Sequence, residues 1–214
     1  MARNLNEQWI WKYNNDGSIQ TPFIGDDFVK VDPSGILTFN GEARRKLTFR
    51  PDLDYTKITA KGKPTQVLVD VFNGFSLPIY NSDNEELFFG MKMPERWDPT
   101  TNPVVKFYIW LANNEDVGDK FKLQLSYNKC KCTVDKIIDT SFDLYYNGIV
   151  TTDHNTQYST YEATFELDKD KLDNDDMLSC RLYRIATDAP QISNEVVIYK
   201  VAIEFERDKM GGTF

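Results

Sequence analysis

The stretches KFKLQLSY (residues 120–127) and TYEATFEL (residues 160–167) decide the fold class. In the first, Phe121, Leu123, Leu125 and Tyr127 alternate with Lys120, Lys122, Gln124 and Ser126. In the second, Tyr161, Ala163, Phe165 and Leu167 alternate with Thr160, Glu162, Thr164 and Glu166. Alternation of period two puts successive side chains on opposite faces of a strand. Each segment therefore predicts a strand with one face in a core and one face in water.

Working outward, QVLVDVF (residues 66–72), LFFGMKM (87–93), VVKFYIWL (104–111), LSCRLYRI (178–185) and VVIYKVAIEFE (196–206) are further candidates. Clusters such as Asn81-Ser82-Asp83-Asn84, Asn113-Asn114-Glu115-Asp116 and Asp173-Asn174-Asp175-Asp176 bound them with turn chemistry. VVKFYIWL is apolar on both faces, which predicts cover on both sides and is compatible with a subunit contact. Asp135 to Asn147 fits a short helix or a pair of strands equally well. Seven or more closely spaced strands without a clear helix predict an all-β protein, an antiparallel jelly-roll-like β-sandwich.

Residues 1–42 differ from the rest. They hold two short elements, WKYNNDGSIQTP (11–22) and VDPSGILTFNG (31–41), each an Asp and Gly turn with a brief apolar strand. Such segments bury little by themselves and call for repetition or partner chains. They are expected to form an N-terminal extended arm or stalk for oligomerisation and attachment, with 43–214 as the sandwich. The competing reading is an ordinary first strand pair folded on the sandwich.

The 214 residues carry 33 acidic and 25 basic side chains, a net charge of −8. That balance argues against nucleic acid, whose affinity comes largely from Lys and Arg displacing counterions. The one basic cluster, Arg44-Arg45-Lys46, reads as a solvated strand start. Neither a signal peptide nor a run of about 18 apolar residues is found, so a cytoplasmically made chain without membrane insertion is expected.

No residue earns a catalytic, cofactor-binding or metal label. His154 is the sole histidine and sits in the polar stretch Thr151 to Thr156, so a triad has no evident base. Glu85, Glu86 and Glu95 lie near apolar strands, but no spacing singles out a carboxylate pair. Asp168, Asp170, Asp173, Asp175 and Asp176 are dense enough to suggest calcium, yet lack the glycine and closing Glu of an EF-hand loop, and a solvated turn is preferred. Cys130 and Cys132, two apart on a strand, and the distant Cys180 read as free thiols rather than a zinc site. Of the four tryptophans Trp97 is the best placed to stack on a sugar, although a tryptophan capping the sandwich is the more ordinary role.

The order of several elements adds a resemblance. Trp11, Asp16-Gly17 and Pro22 are followed by Gly35, Leu37, Phe39 and Gly41. Next come Met93-Pro94 and Trp97-Asp98, and then the aromatic strand with Phe107, Tyr108 and Trp110. The chain ends on an Asp-rich turn, Leu178 to Asp188, Val201 to Phe205 and Arg207 to Gly211. In this order the chain resembles jelly-roll virion structural proteins, the fibre, tail-tip or head-appendage subunits of tailed phages and related viruses. The resemblance implies a non-enzymatic viral protein located in the virion after assembly in the host cytoplasm. It further implies a homo-oligomer, a trimer, with other virion proteins as partners and a host-surface glycan as a further one. The alternative is a carbohydrate-binding β-sandwich module of a cellular protein, which requires an aromatic platform with converging polar groups.

Overall fold

The computed structural model describes residues 12–20, 28–33, 35, 37–40, 45–50, 64–78, 85–94, 97–130, 141–207 and 209–210. Trp11, Arg44, Glu95, Cys132 and the first part of the ambiguous Asp135 to Asn147 stretch lie outside the described residues. In chain order the strands are β1 (Lys12–Tyr13), β2 (Ile19–Gln20), β3 (Phe28–Val31), β4 (Leu37–Asn40) and β5 (Arg45–Phe49). They continue as β6 (Thr65–Val69), β7 (Phe72–Leu77), β8 (Glu86–Lys92), β9 (Val104–Leu111) and β10 (Lys120–Cys130). The last are β11 (Phe142–Ile149), β12 (Thr160–Glu166), β13 (Met177–Ile185), β14 (Val196–Arg207) and β15 (Lys209–Met210). Two single turns of 3₁₀ helix, Thr152–His154 and Lys169–Lys171, are the only helical segments among the described residues.

The fold is the antiparallel all-β sandwich that the alternation predicts. One sheet runs β11-β10-β13-β8, and the other runs β12-β9-β14-β7-β6 with β5 also pairing with β14. The chain passes from sheet to sheet between β7 and β8, β8 and β9, β9 and β10, β11 and β12, β12 and β13, and β13 and β14, so consecutive strands seldom pair. The second half of the ambiguous stretch is strand, with Leu144 opposite Leu125 and Phe142 opposite Tyr127.

Side chains from the two inner faces close the core. Phe107 of β9 lies at its middle, edge-on to Phe89 of β8 at 5.6 Å and to Phe165 of β12 at 5.8 Å. Leu123 and Leu125 of β10, Leu182 of β13 and Ile198 of β14 are fully buried around it. Edge-to-face rings with centroids this close gain attraction beyond their buried area.

On the second face of β9, Val104, Lys106 and Tyr108 are half-buried and only the Trp110 end is covered by the chain itself. Tyr199 stacks on Trp110 with centroids 5.0 Å apart and 25° between the planes, leaving the tryptophan 5 % exposed. The pairing of β14 with β9 is irregular between Ile198 and Lys200, and Tyr199 lies at that irregularity. An extra residue in a ladder re-aims a side chain in this way.

The N-terminal residues form a separate antiparallel meander, β1-β2-β3-β4, whose last strand pairs with β15. Its first turn is fixed by Gly17 at φ 80°, and by Asp16, which accepts from the Ser18 backbone N–H at 2.9 Å and pairs with Lys30 at 2.7 Å. The Lys30 ammonium and the Ser18 donors hold the Asp16 carboxyl well below the ordinary carboxylate range.

Candidate functional site

The outer face of the β11-β10-β13-β8 sheet carries an ordered set of aromatic and polar side chains. Register places them in rows across the strands. In one row Gln124 stands between Tyr145 of β11 and Tyr183 of β13, with Glu86 of β8 beyond. In the next, Ser126 stands between Asp143 and Arg181, with Phe88 beyond. Two strand spacings separate Tyr145 from Tyr183, about 9.5 Å, and the two rows are about 7 Å apart along the strands.

The polar floor is connected. Gln124 donates from Nε2 to Ser126 Oγ at 3.3 Å, and Ser126 donates to Asp143 Oδ1 at 2.5 Å. That bond fixes one carboxylate oxygen of Asp143, whose residue is exposed at the rim. Opposite it, Arg181 bridges Glu86 at 3.5 Å and lies over the Tyr183 ring at 4.9 Å, while Lys122 lies 5.0 Å from the Tyr145 centroid. Tyr145 is 53 % exposed. The face thus offers two aromatic rings, a carboxylate acceptor and a guanidinium donor around one hydrogen-bonded centre.

Alternation places Gln124 and Ser126 on a wet face, yet they are 9 % and 3 % exposed. Their strand position is as expected, but the larger residues on β11 and β13 flank them and exclude water. A polar side chain so placed needs partners, and each has one here.

Other candidates from the sequence take structural places. Trp97 is buried at 1 % exposure and donates from Nε1 to the Thr101 carbonyl at 3.2 Å, so it is a core tryptophan and not a sugar platform. His154 is exposed in its 3₁₀ turn, 5.8 Å from the Tyr161 ring, and its carbonyl accepts from the Tyr161 hydroxyl. Glu86 meets Arg181, while burial and then the charge of Glu195 raise the pKa of Glu85 above its ordinary value. Cys180 is a free thiol, and burial pushes its pKa far up.

Three lysines pair with four of the five carboxylates of the acidic stretch. Lys129 reaches Asp173 at 3.3 Å and Asp176 at 3.2 Å, Lys92 reaches Asp175 at 2.7 Å, and Lys169 reaches Asp170 at 2.7 Å. Asp168 caps the following 3₁₀ turn by accepting from the Asp170 N–H at 3.0 Å. Among the described residues no group of three or more acidic, His or Cys side chains converges as a metal site would require.

No protein-family model and no curated protein matches the chain. Among solved structures it is similar to a carbohydrate-binding module, CBM28, specific for non-crystalline cellulose, with 16 % identity and a TM-score of 0.42 over 70 % of this chain and 85 % of the other. It is also similar to a family 11 carbohydrate-binding module from Clostridium thermocellum, solved with a β-1,3-1,4-mixed-linked tetrasaccharide. There the identity is 8 % and the TM-score 0.36, over 75 % of this chain and 87 % of the other.

Proposed function

We propose that the chain is a non-catalytic carbohydrate-binding β-sandwich, and that the outer face of the β11-β10-β13-β8 sheet holds a neutral, extended glycan. The observation that carries this reading is the register that sets Tyr145 and Tyr183 on either side of Gln124. A sugar ring has apolar C–H faces and a polar equator. It asks for an aromatic surface beneath the ring and both donors and acceptors at its edge. Tyr145 and Tyr183 supply the surfaces, and Asp143 and Arg181 supply an acceptor and a donor. On this face two cations, Lys122 and Arg181, stand with two carboxylates, Asp143 and Glu86, a balance that favours hydroxyls over a charged sugar.

The test is an array of neutral and acidic oligosaccharides, followed by titration calorimetry on the best binder. Selective binding to a neutral chain that is lost in Tyr183→Ala supports the reading. A flat array, or binding indifferent to Tyr183→Ala and Tyr145→Ala, overturns it.

A second reading concerns the setting in which a glycan would be met. Among the described residues the meander β1-β4 with β15 hydrogen-bonds as a sheet of its own, distinct from both sandwich sheets. That favours the virion appendage implied by the resemblance, with the sandwich turned toward a host-surface glycan and the meander toward the particle or a homotrimer. Light scattering on the full chain tests it. A trimer supports it, and a monomer at all concentrations removes the assembly role.

A further inference from the structure

Along β10 the outer face of the β11-β10-β13-β8 sheet carries Lys120 and Lys122, and then changes to Gln124 and Ser126. The fold does not ask for that change. Flanked by larger side chains, the two positions would be served as well by Leu or Val, because replacing a buried hydrogen-bonded pair by apolar groups of similar shape is nearly neutral for stability.

The hydrogen bonds of the pair run in one direction. A carboxylate only accepts, and a hydroxyl has a single proton to give. Ser126 gives that proton to Asp143 Oδ1 at 2.5 Å, so its Oγ is left to accept, and the group that faces it from Gln124 at 3.3 Å is the Nε2 donor. The relay thereby fixes which end of the amide is which, and turns Oε1 away from Ser126. Among the described residues Oε1 has no hydrogen-bond partner, and it is not one of the unpartnered atoms sealed from solvent. Its cationic neighbours on the face are engaged elsewhere: Lys122 lies over the Tyr145 ring, and Arg181 lies over Tyr183 and pairs with Glu86.

We infer that Gln124 is the specificity-determining residue of this face, its amide oxygen accepting from a free hydroxyl of the sugar unit lying between those on Tyr145 and Tyr183. The inference rests on the glycan reading and adds which chains the face takes, namely those unsubstituted at the central unit. An ether or ester there would cover the amide oxygen and offer it no donor, a costly outcome. The second hydrogen on Nε2 does not discriminate, since hydroxyl and ether oxygens both accept. Ser126 is a positioning residue, acting through Gln124 and Asp143.

Alternate units of an extended β-1,4-linked chain turn the same face to a surface, two sugar lengths apart, which suits rings about 9.5 Å apart. The probes are therefore the β-1,4-linked hexasaccharides of glucose, mannose and xylose, and the fully O-methylated form of the one that binds best. Methylation removes every donor and keeps every oxygen. Calorimetry on the full chain is expected to show a preference for the free form of about tenfold or more. In Gln124→Met, of similar length but without the amide, the preference should shrink by about fivefold or more, and Ser126→Ala should shrink it by freeing the amide to turn. A variant that merely loosened the sheet would weaken both forms alike and leave their ratio unchanged. The side-chain amide resonances of Gln124, assigned by their absence in Gln124→Met, should shift and saturate with the free hexasaccharide. Resonances that stay in place overturn the inference. So does an unchanged ratio in Gln124→Met beside weakened binding in Tyr183→Ala, a result that would leave the glycan reading standing. If none of the three hexasaccharides binds, the inference falls together with the two-ring reading beneath it.

Discussion

Phe121 and Gly148 are direct partners across β10 and β11, and the ring of Phe121 occupies the space a Cβ on Gly148 would take. Glycine at 148 is therefore a packing requirement, since β11 could not close on β10 over that ring with a larger residue. The same ring meets Tyr161 edge-on at 5.5 Å and Tyr146 at 6.0 Å, tying β10 to both β11 and β12. Gly148→Ala is expected to destabilise the fold by about 1–3 kcal/mol, the usual cost of forcing a methyl into a filled core. Urea unfolding measures it. Because Tyr145 rides on the same strand, glycan affinity should fall as well, and an unchanged midpoint would show that β11 yields at no cost.

The two tyrosines of the proposed glycan face invite a cycle. Removing one ring, as Tyr145→Ala or Tyr183→Ala, is expected to cost about 1 kcal/mol of binding, roughly fivefold in affinity, by loss of one stacking surface. Two rings about 9.5 Å apart address different sugar units, and sites so separated tend to act independently. The double variant should therefore lose about the sum of the two. Calorimetry on the neutral oligosaccharide reads all three, and a single variant that loses everything would mean that both rings grip one unit.

Much of this fold was legible because alternation is a direct consequence of strand geometry. KFKLQLSY and TYEATFEL carry their apolar residues inward as read, down to the fully buried Leu123, Leu125 and Ala163. The site was not legible, since Tyr145, Gln124 and Tyr183 come from three strands and meet only through register, which no local pattern encodes. The tryptophans show the same limit. Trp97, in a polar turn, is buried with its N–H satisfied, in keeping with the capping role preferred for it over a sugar platform. Trp110, in an apolar strand, carries the unsatisfied donor instead. Nothing in either local sequence reports the irregularity that brings Tyr199 onto Trp110.

Lys129 stands where a cation would stand in the acidic stretch, bonded to Asp173 and to the buried Asp176. Its removal leaves a carboxylate that is 1 % exposed without its counter-charge, a loss of about 3 kcal/mol for a buried pair broken on one side. Lys129→Ala should show that drop in thermal and urea unfolding. Calcium should leave the wild-type midpoint unchanged, because the resident ammonium already occupies the position between the two carboxylates. A calcium-dependent rise in the wild-type midpoint would mean that the metal displaces Lys129, and the acidic stretch would become a genuine cation site.

Lys106 supplies a pH signature on the other sheet. Its ammonium lies 3.2 Å from Glu204 and 3.3 Å from Glu162, and these hydrogen bonds, first to Glu204 and then to Glu162, raise its pKa above the ordinary 10.5. The contribution is complete below 10.5, where folded and unfolded chains both keep the proton. Above it the unfolded chain releases the proton first, so the folded state binds more protons and stability falls as pH rises through the folded value. The gap in urea midpoint between wild type and Lys106→Met should therefore be constant from neutral pH to about the ordinary lysine pKa and narrow beyond it. A gap that stays constant across that range would place the value of Lys106 in packing of its aliphatic stem, not in its charge.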